Sequence, residues 1–361
     1  MAPKQESRKK RLPLTHFLCL PLVNTTSIPQ LEASITAFRA AYPPVRVVDL
    51  PKYSEESGNG HTSHPVIPVG AVRPLGTLHL TLGVMSLPTK ERLEEALAFF
   101  ESIDIAKIMH EVKPVASQPQ DKFDTPLHPV QSGYFSVPSK SGQSGQSILN
   151  TDQPFIVNLE SLHALPRAEA ATVLYASPSD PTERLYPFCV MLRDKFIKAG
   201  FLQEEMAQKP NSHSRKPEPR PLLLHATLIN TIYVRQPKNH QNSTQRGKRP
   251  KRIEIDARDL LERYQNYYID EQRTKPRMDT TTSIEPENKG SSTENTISEP
   301  QFPFLWAREI SLESISICEM GAKKLPKVDS RGNPQTLNAR LGEKYTLVAQ
   351  RSLYFKQRPL Y

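Results

Sequence analysis

Apolar residues along this chain follow two rhythms, one of period two and one near 3.6, separated by long polar stretches. Thr15 to Val23 predicts a strand. Ser27 as N-cap and Pro29 in the first turn then predict a helix running to about Ala40. A second strand is expected over Thr77 to Met85. After Pro88, the residues Leu93, Ala96, Leu97 and Phe100 recur at helical spacing and predict an amphipathic helix. Phe155 to Leu159 and Thr172 to Ala176 read as strands. Leu185, Phe188, Leu192 and Phe196 place one apolar stripe on a helix from about Leu185 to Ala199, with Gly200 as its stop. Leu222 to Asn230 predicts the next strand, Arg258 to Tyr264 a short helix, and Phe302 to Trp306, Ile310 to Met320 and Tyr345 to Ala349 the final strands.

Strands and helices interspersed without a parallel crossover rhythm argue for an α+β fold, with antiparallel sheets covered on one side by helices. The chain also rhymes with itself, because each half has a strand and a long helix before or after the strand over Thr77 to Met85 or Leu222 to Asn230. Between these elements lie segments near 51–70, 117–150, 207–219, 236–250 and 272–300. They are rich in Pro, Ser, Gln, Asn, Lys and Glu without apolar periodicity, and read as loops or disordered insertions.

Composition sharpens this division. Only 37% of the 361 residues are hydrophobic, 34 are Pro and the mean hydropathy is −0.53, so an ordered body of roughly 230 to 260 residues with polar insertions is expected. The net charge of +9 favours an anionic partner such as RNA, a nucleotide or a membrane surface. Part of the excess sits in Arg8-Lys9-Lys10-Arg11 and in Arg246 to Arg252, patches of the nuclear-import or phosphate-binding type. Cys19, Cys189 and Cys318 are far apart, with no Cys-x-x-Cys, and read as reduced, buried thiols of an intracellular protein. The apolar run from Phe17 to Val23 follows basic residues as a signal peptide does. Yet it is short, holds Pro21 and leads to Asn24-Thr25-Thr26, not to a small-x-small cleavage site. No stretch approaches the roughly 20 apolar residues that span a bilayer.

The candidate chemistry lies in a repeated word. Leu78-His79-Leu80-Thr81-Leu82 and Leu224-His225-Ala226-Thr227-Leu228 each place His and Thr two apart between apolar residues. On a strand, His and Thr then share one face while the apolar positions bury the other. At ordinary frequencies one such match arises in roughly a tenth of chains with ten His, and two in well under a hundredth. His61-Thr62-Ser63 fits the short pattern too, but Asn59, Gly60 and Pro65 mark it as loop. Two imidazoles with adjacent hydroxyls suit in-line displacement at phosphorus, one His taking a proton from the attacking oxygen and the other giving one to the leaving oxygen.

These motifs resemble those of the two-histidine (2H) phosphoesterases, a LigT-like superfamily with paired His-x-Thr/Ser motifs on strands of a pseudo-symmetric bilobal fold. Within it the chain is similar to the branch shared by activating signal cointegrator 1 complex subunit 1 and the kinase-A-anchoring-protein phosphoesterase domain. The matching residues are Leu78 to Val84, Leu224 to Thr231, the Ala257 to Tyr264 helix and Ser316 to Lys324. The resemblance implies an α+β bilobal body over 14–357 after a basic, disordered tail at 1–13, with two antiparallel sheets facing a central cleft and helices outside. Cointegrator subunits of that branch carry an RNA-binding KH module ahead of this domain. Here the first strand is expected already at Thr15, and Gly142-Gln143-Ser144-Gly145 reads as linker.

Resemblance and chemistry together imply metal-independent, cofactor-free cleavage or transfer at an RNA-type phosphodiester, either a 2′,3′-cyclic phosphate or a 2′,5′ linkage. His79 and His225 would act as acid and base in an order the sequence leaves open, and Thr81 and Thr227 would hydrogen-bond the non-bridging oxygens. Arg73, Lys323 and Lys324 are candidates for substrate phosphate, and Asn230 and Tyr233 for orienting His225 or stacking a base. Each has a plainer reading as surface charge or packing. His61 and His64 lack a nearby carboxylate or Cys to complete a metal site, and no Gly-rich nucleotide loop occurs. The competing reading is a non-catalytic nuclear adaptor, an RNA-binding subunit of a transcription or repair cointegrator complex. A kinase-anchoring role would need an amphipathic helix outside the core. The expected partners are RNA or a nucleotide and no membrane, the expected location the nucleus with some cytoplasmic presence, and the oligomeric state is left open.

Overall fold

The computed structural model describes residues 12–47, 65–112, 154–203, 220–234, 252–267, 302–328 and 331–354. Most of the expected insertions, the basic tail through residue 11, nearly all of the basic patch at 246–252, His61, His64 and the Gly142–Gly145 tract lie outside the described residues.

In chain order the elements are β1 (His16–Pro21), α1 (Ser27–Ala41), β2 (His79–Met85), α2 (Lys90–Ser102), α3 (Ile105–Glu111), β3 (Ile156–Leu165), β4 (Val173–Ser179) and α4 (Leu185–Lys198). They continue with β5 (Ala226–Asn230), α5 (Arg258–Gln265), β6 (Asn266–Tyr267), β7 (Phe302–Pro303), β8 (Leu305–Ser311) and β9 (Ser314–Glu319). Last come β10 (Lys323–Lys324), α6 (Thr336–Leu341), β11 (Glu343–Lys344) and β12 (Leu347–Ser352).

The main sheet is antiparallel with strand order β12-β9-β1-β2-β5-β4-β3-β8. The two sheets expected from the sequence are its two four-stranded halves. They meet at one backbone pair, Leu80 with Ala226, and both residues are fully buried. The innermost strand of each half carries a His motif. The fold is α+β, as expected.

The helices are exchanged between the halves. α1 precedes the first motif in sequence but lies on β8 of the second half, where the Ser34 hydroxyl donates to the Trp306 carbonyl at 2.8 Å and Phe38 sits 5.8 Å from the Trp306 ring. α4 follows β4 but packs beside β2 and α2, with Phe196 edge-on to Phe99 at 5.2 Å. Each half thus covers its apolar face with a helix from the other, and one contiguous core runs through both.

The helix faces follow their apolar spacing. Ile28, Leu31, Ile35 and Phe38 are buried on α1, and Leu185, Phe188, Leu192 and Phe196 on α4. Gly200, at φ +75°, ends α4 where the pattern placed the stop. The start of α1 differs from expectation. Asn24 Oδ1 accepts the backbone N–H groups of Thr26 and Ser27, while the Ser27 hydroxyl turns inward to the Leu22 carbonyl at 2.7 Å. Asn24 therefore caps the helix in place of Ser27.

Three further expectations are corrected. Ile310 to Met320 is two strands, not one, because the chain breaks at Leu312 and Glu313 and sends β8 and β9 to different halves; unbroken apolar character hid the turn. The expected strand from Leu222 begins only at Ala226, since pairing with β4 ends at Ala176 with Ala226. The end of the expected 51–70 insertion belongs to the body: Ile67 is 1% exposed, and Val45 exchanges backbone hydrogen bonds with Ile67 and Val69. No described helix is long and apolar enough to cross a membrane.

Candidate active site

Both motifs take the alternation their sequence encodes. Leu78, Leu80 and Leu82 are buried on one face while His79 and Thr81 are partly accessible on the other, and Leu224, Ala226 and Leu228 bury opposite His225 and Thr227. Continuing the antiparallel register one step to either side of Leu80 and Ala226 sets His79 opposite Thr227 and Thr81 opposite His225. Each imidazole is thereby paired with the threonine of the other motif.

The two rings are held alike. His79 Nδ1 lies 2.7 Å from the Thr77 carbonyl and His225 Nδ1 2.9 Å from the Leu223 carbonyl. A carbonyl only accepts, so in each ring Nδ1 carries the proton and donates it. Nε2 is then left as the atom that can take up or release a proton.

A cleft of about 170 Å³ opens over this pair of strands. That is more than ten times the roughly 10–15 Å³ that admits one water. Its lining includes His79, Thr81, Thr227, Arg73, Asn230 and Tyr233, all singled out by sequence. Phe17, Thr77, Val84, Met320 and Tyr345 complete it without having been anticipated. His225 stands beside the cleft, near enough for its charge to bear on His79. A second cavity, of about 10 Å³ between α1 and the second half-sheet, is lined only by apolar side chains such as Ile35, Leu228 and Trp306, and is a packing gap.

Arg73 is the buried cation of the cleft. Residues Ala71 to Arg73 run beside β5, with Arg73 N–H donating to the Leu228 carbonyl at 2.8 Å. The side chain is 5% exposed, its guanidinium lies 3.7 Å above the Tyr233 ring centre, and Nη2 is 3.5 Å from the Tyr345 hydroxyl. Among the described residues no carboxylate pairs with it. A buried, unpaired cation is costly unless an anion comes to meet it.

His79 feels this environment. Burial pushes its pKa down to about 4; the Thr77 carbonyl works against that shift, and the charges of His225 and Arg73 add to it. Phe17 lies 4.9 Å from the ring and Tyr345 meets it edge-on at 5.3 Å. Burial likewise raises the Tyr345 phenol to about 12, with Tyr233 contributing in the same direction.

The remaining candidates divide. Asn230 lines the cleft, but its Oδ1 accepts the Ile232 N–H and so caps the short turn that carries Tyr233. Lys323 and Lys324 sit on β10 outside the cleft lining. Lys323 Nζ is exposed and lies 3.3 Å from a Glu319 carboxylate oxygen four residues away. Among the described residues no cluster of three or more His, Cys, Asp or Glu could hold a metal ion.

Comparison with known proteins adds a family. The family model for the AKAP7 2′5′ RNA ligase-like domain matches residues 14–278, which includes both His motifs. Among solved structures, the chain is similar to Escherichia coli LigT complexed with 3′-AMP, at 12% identity over 95% of this chain and 99% of that one, with a TM-score of 0.32. It is also similar to TT0787 of Thermus thermophilus, at 11% identity over 94% and 98% of the two chains, with a TM-score of 0.33. No curated protein matches the chain.

Proposed function

This chain belongs to the AKAP7 2′5′ RNA ligase-like domain family, and from that premise we propose that it is a 2H phosphoesterase that cleaves or transfers RNA-type phosphodiesters by acid–base catalysis without a metal. The substrate is a 2′,3′-cyclic phosphate or a 2′,5′ linkage. The observation that carries this reading is the arrangement of two Nδ1-tethered imidazoles, each opposite the other's threonine, beside a buried Arg73 that meets no carboxylate among the described residues. A cleft whose described lining presents a cation and no carboxylate attracts phosphate and repels a metal ion.

The electrostatics of His79 set its role. His79, with its pKa near 4, is neutral at pH 7 and takes the proton from the attacking hydroxyl or water. The attacking oxygen bonds to phosphorus as the opposite P–O bond breaks, and His225, as imidazolium, gives its proton to the leaving oxygen. Thr81 and Thr227 hydroxyls donate to the non-bridging oxygens, and Arg73 balances the charge that grows there.

The test is turnover of 2′,3′-cyclic nucleotides and of 2′,5′-linked oligoadenylate by the full chain in EDTA. Loss of turnover in both His79→Ala and His225→Ala supports the proposal. Turnover that requires added metal, or that survives both substitutions, refutes it. RNA binding without any turnover would favour the non-catalytic adaptor reading instead.

A further inference from the structure

One side of the cleft comes from chain that follows the family match. Within it, Tyr345 touches both groups on which the proposed chemistry depends. Its ring meets His79 edge-on, with centroids 5.3 Å apart and planes at 90°, and packs against Phe17 at 4.8 Å. Its hydroxyl lies 3.5 Å from Arg73 Nη2, on the guanidinium whose face is stacked over Tyr233. His79 is thereby wedged between Phe17 and Tyr345 while Nδ1 is tied to Thr77.

The backbone holds Tyr345 firmly in that place. On one side Lys344 pairs with Lys323, and on the other the Glu319 N–H donates to the Thr346 carbonyl at 3.0 Å. The turn Leu75–Thr77 that leads into β2 fits against the same segment, because Gly76 has no side chain where a Cβ would strike the Glu343 carbonyl oxygen. The strand that presents His79 and the segment that presents Tyr345 are thus fitted to each other backbone to backbone.

We propose that Tyr345 is a positioning residue with two separable duties: its ring keeps water from His79, and its hydroxyl steadies the Arg73 guanidinium for a substrate phosphate. This rests on the phosphoesterase reading above, and it adds a residue that reading does not contain. Among the described residues, the charged and titratable groups facing His79 are Arg73, His225 and Tyr345, with Tyr233 behind Tyr345. None of these is a carboxylate that would hold an imidazolium there. When the ring is removed, water can solvate the charged form of His79, and the imidazole takes up its proton at higher pH. Removing only the hydroxyl leaves that wall standing and frees the guanidinium on one side.

The test compares Tyr345→Phe with Tyr345→Ala in the full chain. The His79 ring is titrated by NMR, and binding of inorganic phosphate and of 3′-AMP is measured by calorimetry; neither needs turnover. Tyr345→Phe is expected to leave the His79 midpoint in place while weakening phosphate and 3′-AMP binding about fivefold, the worth of one net hydrogen bond. On 2′,3′-cyclic AMP it should raise KM more than it lowers kcat. Tyr345→Ala is expected to move the His79 midpoint upward, toward the ordinary imidazole value, by about one unit or more. Should Tyr345→Ala fail to fold, Tyr345→Leu replaces it with the same expected direction. An unmoved His79 midpoint in the ring-deleted variant, or unchanged anion binding in Tyr345→Phe, overturns the proposal. If both shifts occur but the wild type turns over no phosphodiester, the functional reading fails and the positioning role of Tyr345 stands.

Discussion

His79 and His225 are oriented by the same hydrogen bond, from Nδ1 to the carbonyl two residues upstream, at 2.7 Å to Thr77 and 2.9 Å to Leu223. Two strands that share no more than a short motif have arrived at one local geometry, which fixes one tautomer in both rings and reserves both Nε2 atoms for proton transfer. Replacing either His by Ala should therefore lower kcat on a 2′,3′-cyclic nucleotide by about 10²- to 10⁴-fold. Because the two act as a unit, the double variant should fall well short of the product of the single losses. Independent, multiplicative effects would show that the rings do not serve one reaction.

The pH behaviour reports on His79. If His79 is the base, kcat/KM should rise with pH through a midpoint near 4, well below the 6.5 of an unperturbed imidazole. Stability should follow the same group. Its folded-state pKa is depressed, so between about 4 and 6.5 the unfolded chain binds more protons than the folded one. Stability contributed by neutral His79 is thus complete above the unfolded value and is lost as pH falls toward 4, by at most about 3 kcal/mol. Urea unfolding at several pH values, in the wild type and in His79→Gln, reads this directly. Equal slopes in the two proteins would remove His79 from the account.

How much of this was legible in the sequence depends on the distance over which each feature is encoded. His79, Thr81, His225 and Thr227 were readable because strand alternation assigns a face from five consecutive residues, and the stripes on α1 and α4 were readable for the same reason at helical period. Tyr345 was not, since the residue it steadies is Arg73, 272 positions away, and no local pattern records that contact. Lys323 lies at the other extreme of distance. Its charge suggested phosphate, while the carboxylate it meets, Glu319, was four residues off in the same string. The exchange of α1 and α4 between the halves is likewise silent in the sequence, because an apolar stripe states that a helix is covered and not by what.

Arg73 supplies a prediction about binding. A guanidinium that is 5% exposed and stacked on Tyr233 presents a planar fork, which an ammonium cannot reproduce. Arg73→Lys should therefore weaken binding of 3′-AMP nearly as much as Arg73→Met does, on the order of 10- to 100-fold, as expected for a charge-assisted hydrogen bond to phosphate. Both changes should appear in KM at least as strongly as in kcat. Arg73→Met also removes a buried charge that meets no carboxylate among the described residues, so its thermal midpoint should stay level or rise. A marked fall in stability together with unaltered 3′-AMP affinity would make Arg73 a structural cation.

Gly76 links the fold to the site and gives the sharpest structural prediction. A Cβ at this position would overlap the Glu343 carbonyl oxygen and lie 3.0 Å from the Leu341 Cβ. The obstacle is backbone, which cannot rotate away as the end of a side chain can, so the segment from Leu341 to Tyr345 must move as a whole. Gly76→Ala should cost about 1–3 kcal/mol in urea unfolding, the usual penalty for an overfilled contact. It should also lift the His79 midpoint, although the added carbon meets Glu343 and Leu341 and not the His79 ring, because Tyr345 withdraws when its segment does. Gly83→Ala is the control. There the added carbon meets the end of the flexible Leu202 side chain at 2.8 Å, and stability should fall with no change in His79 titration. If both glycine variants leave the His79 midpoint where it was, the fit of the Gly76 turn against Glu343 has no part in setting the chemistry of the cleft.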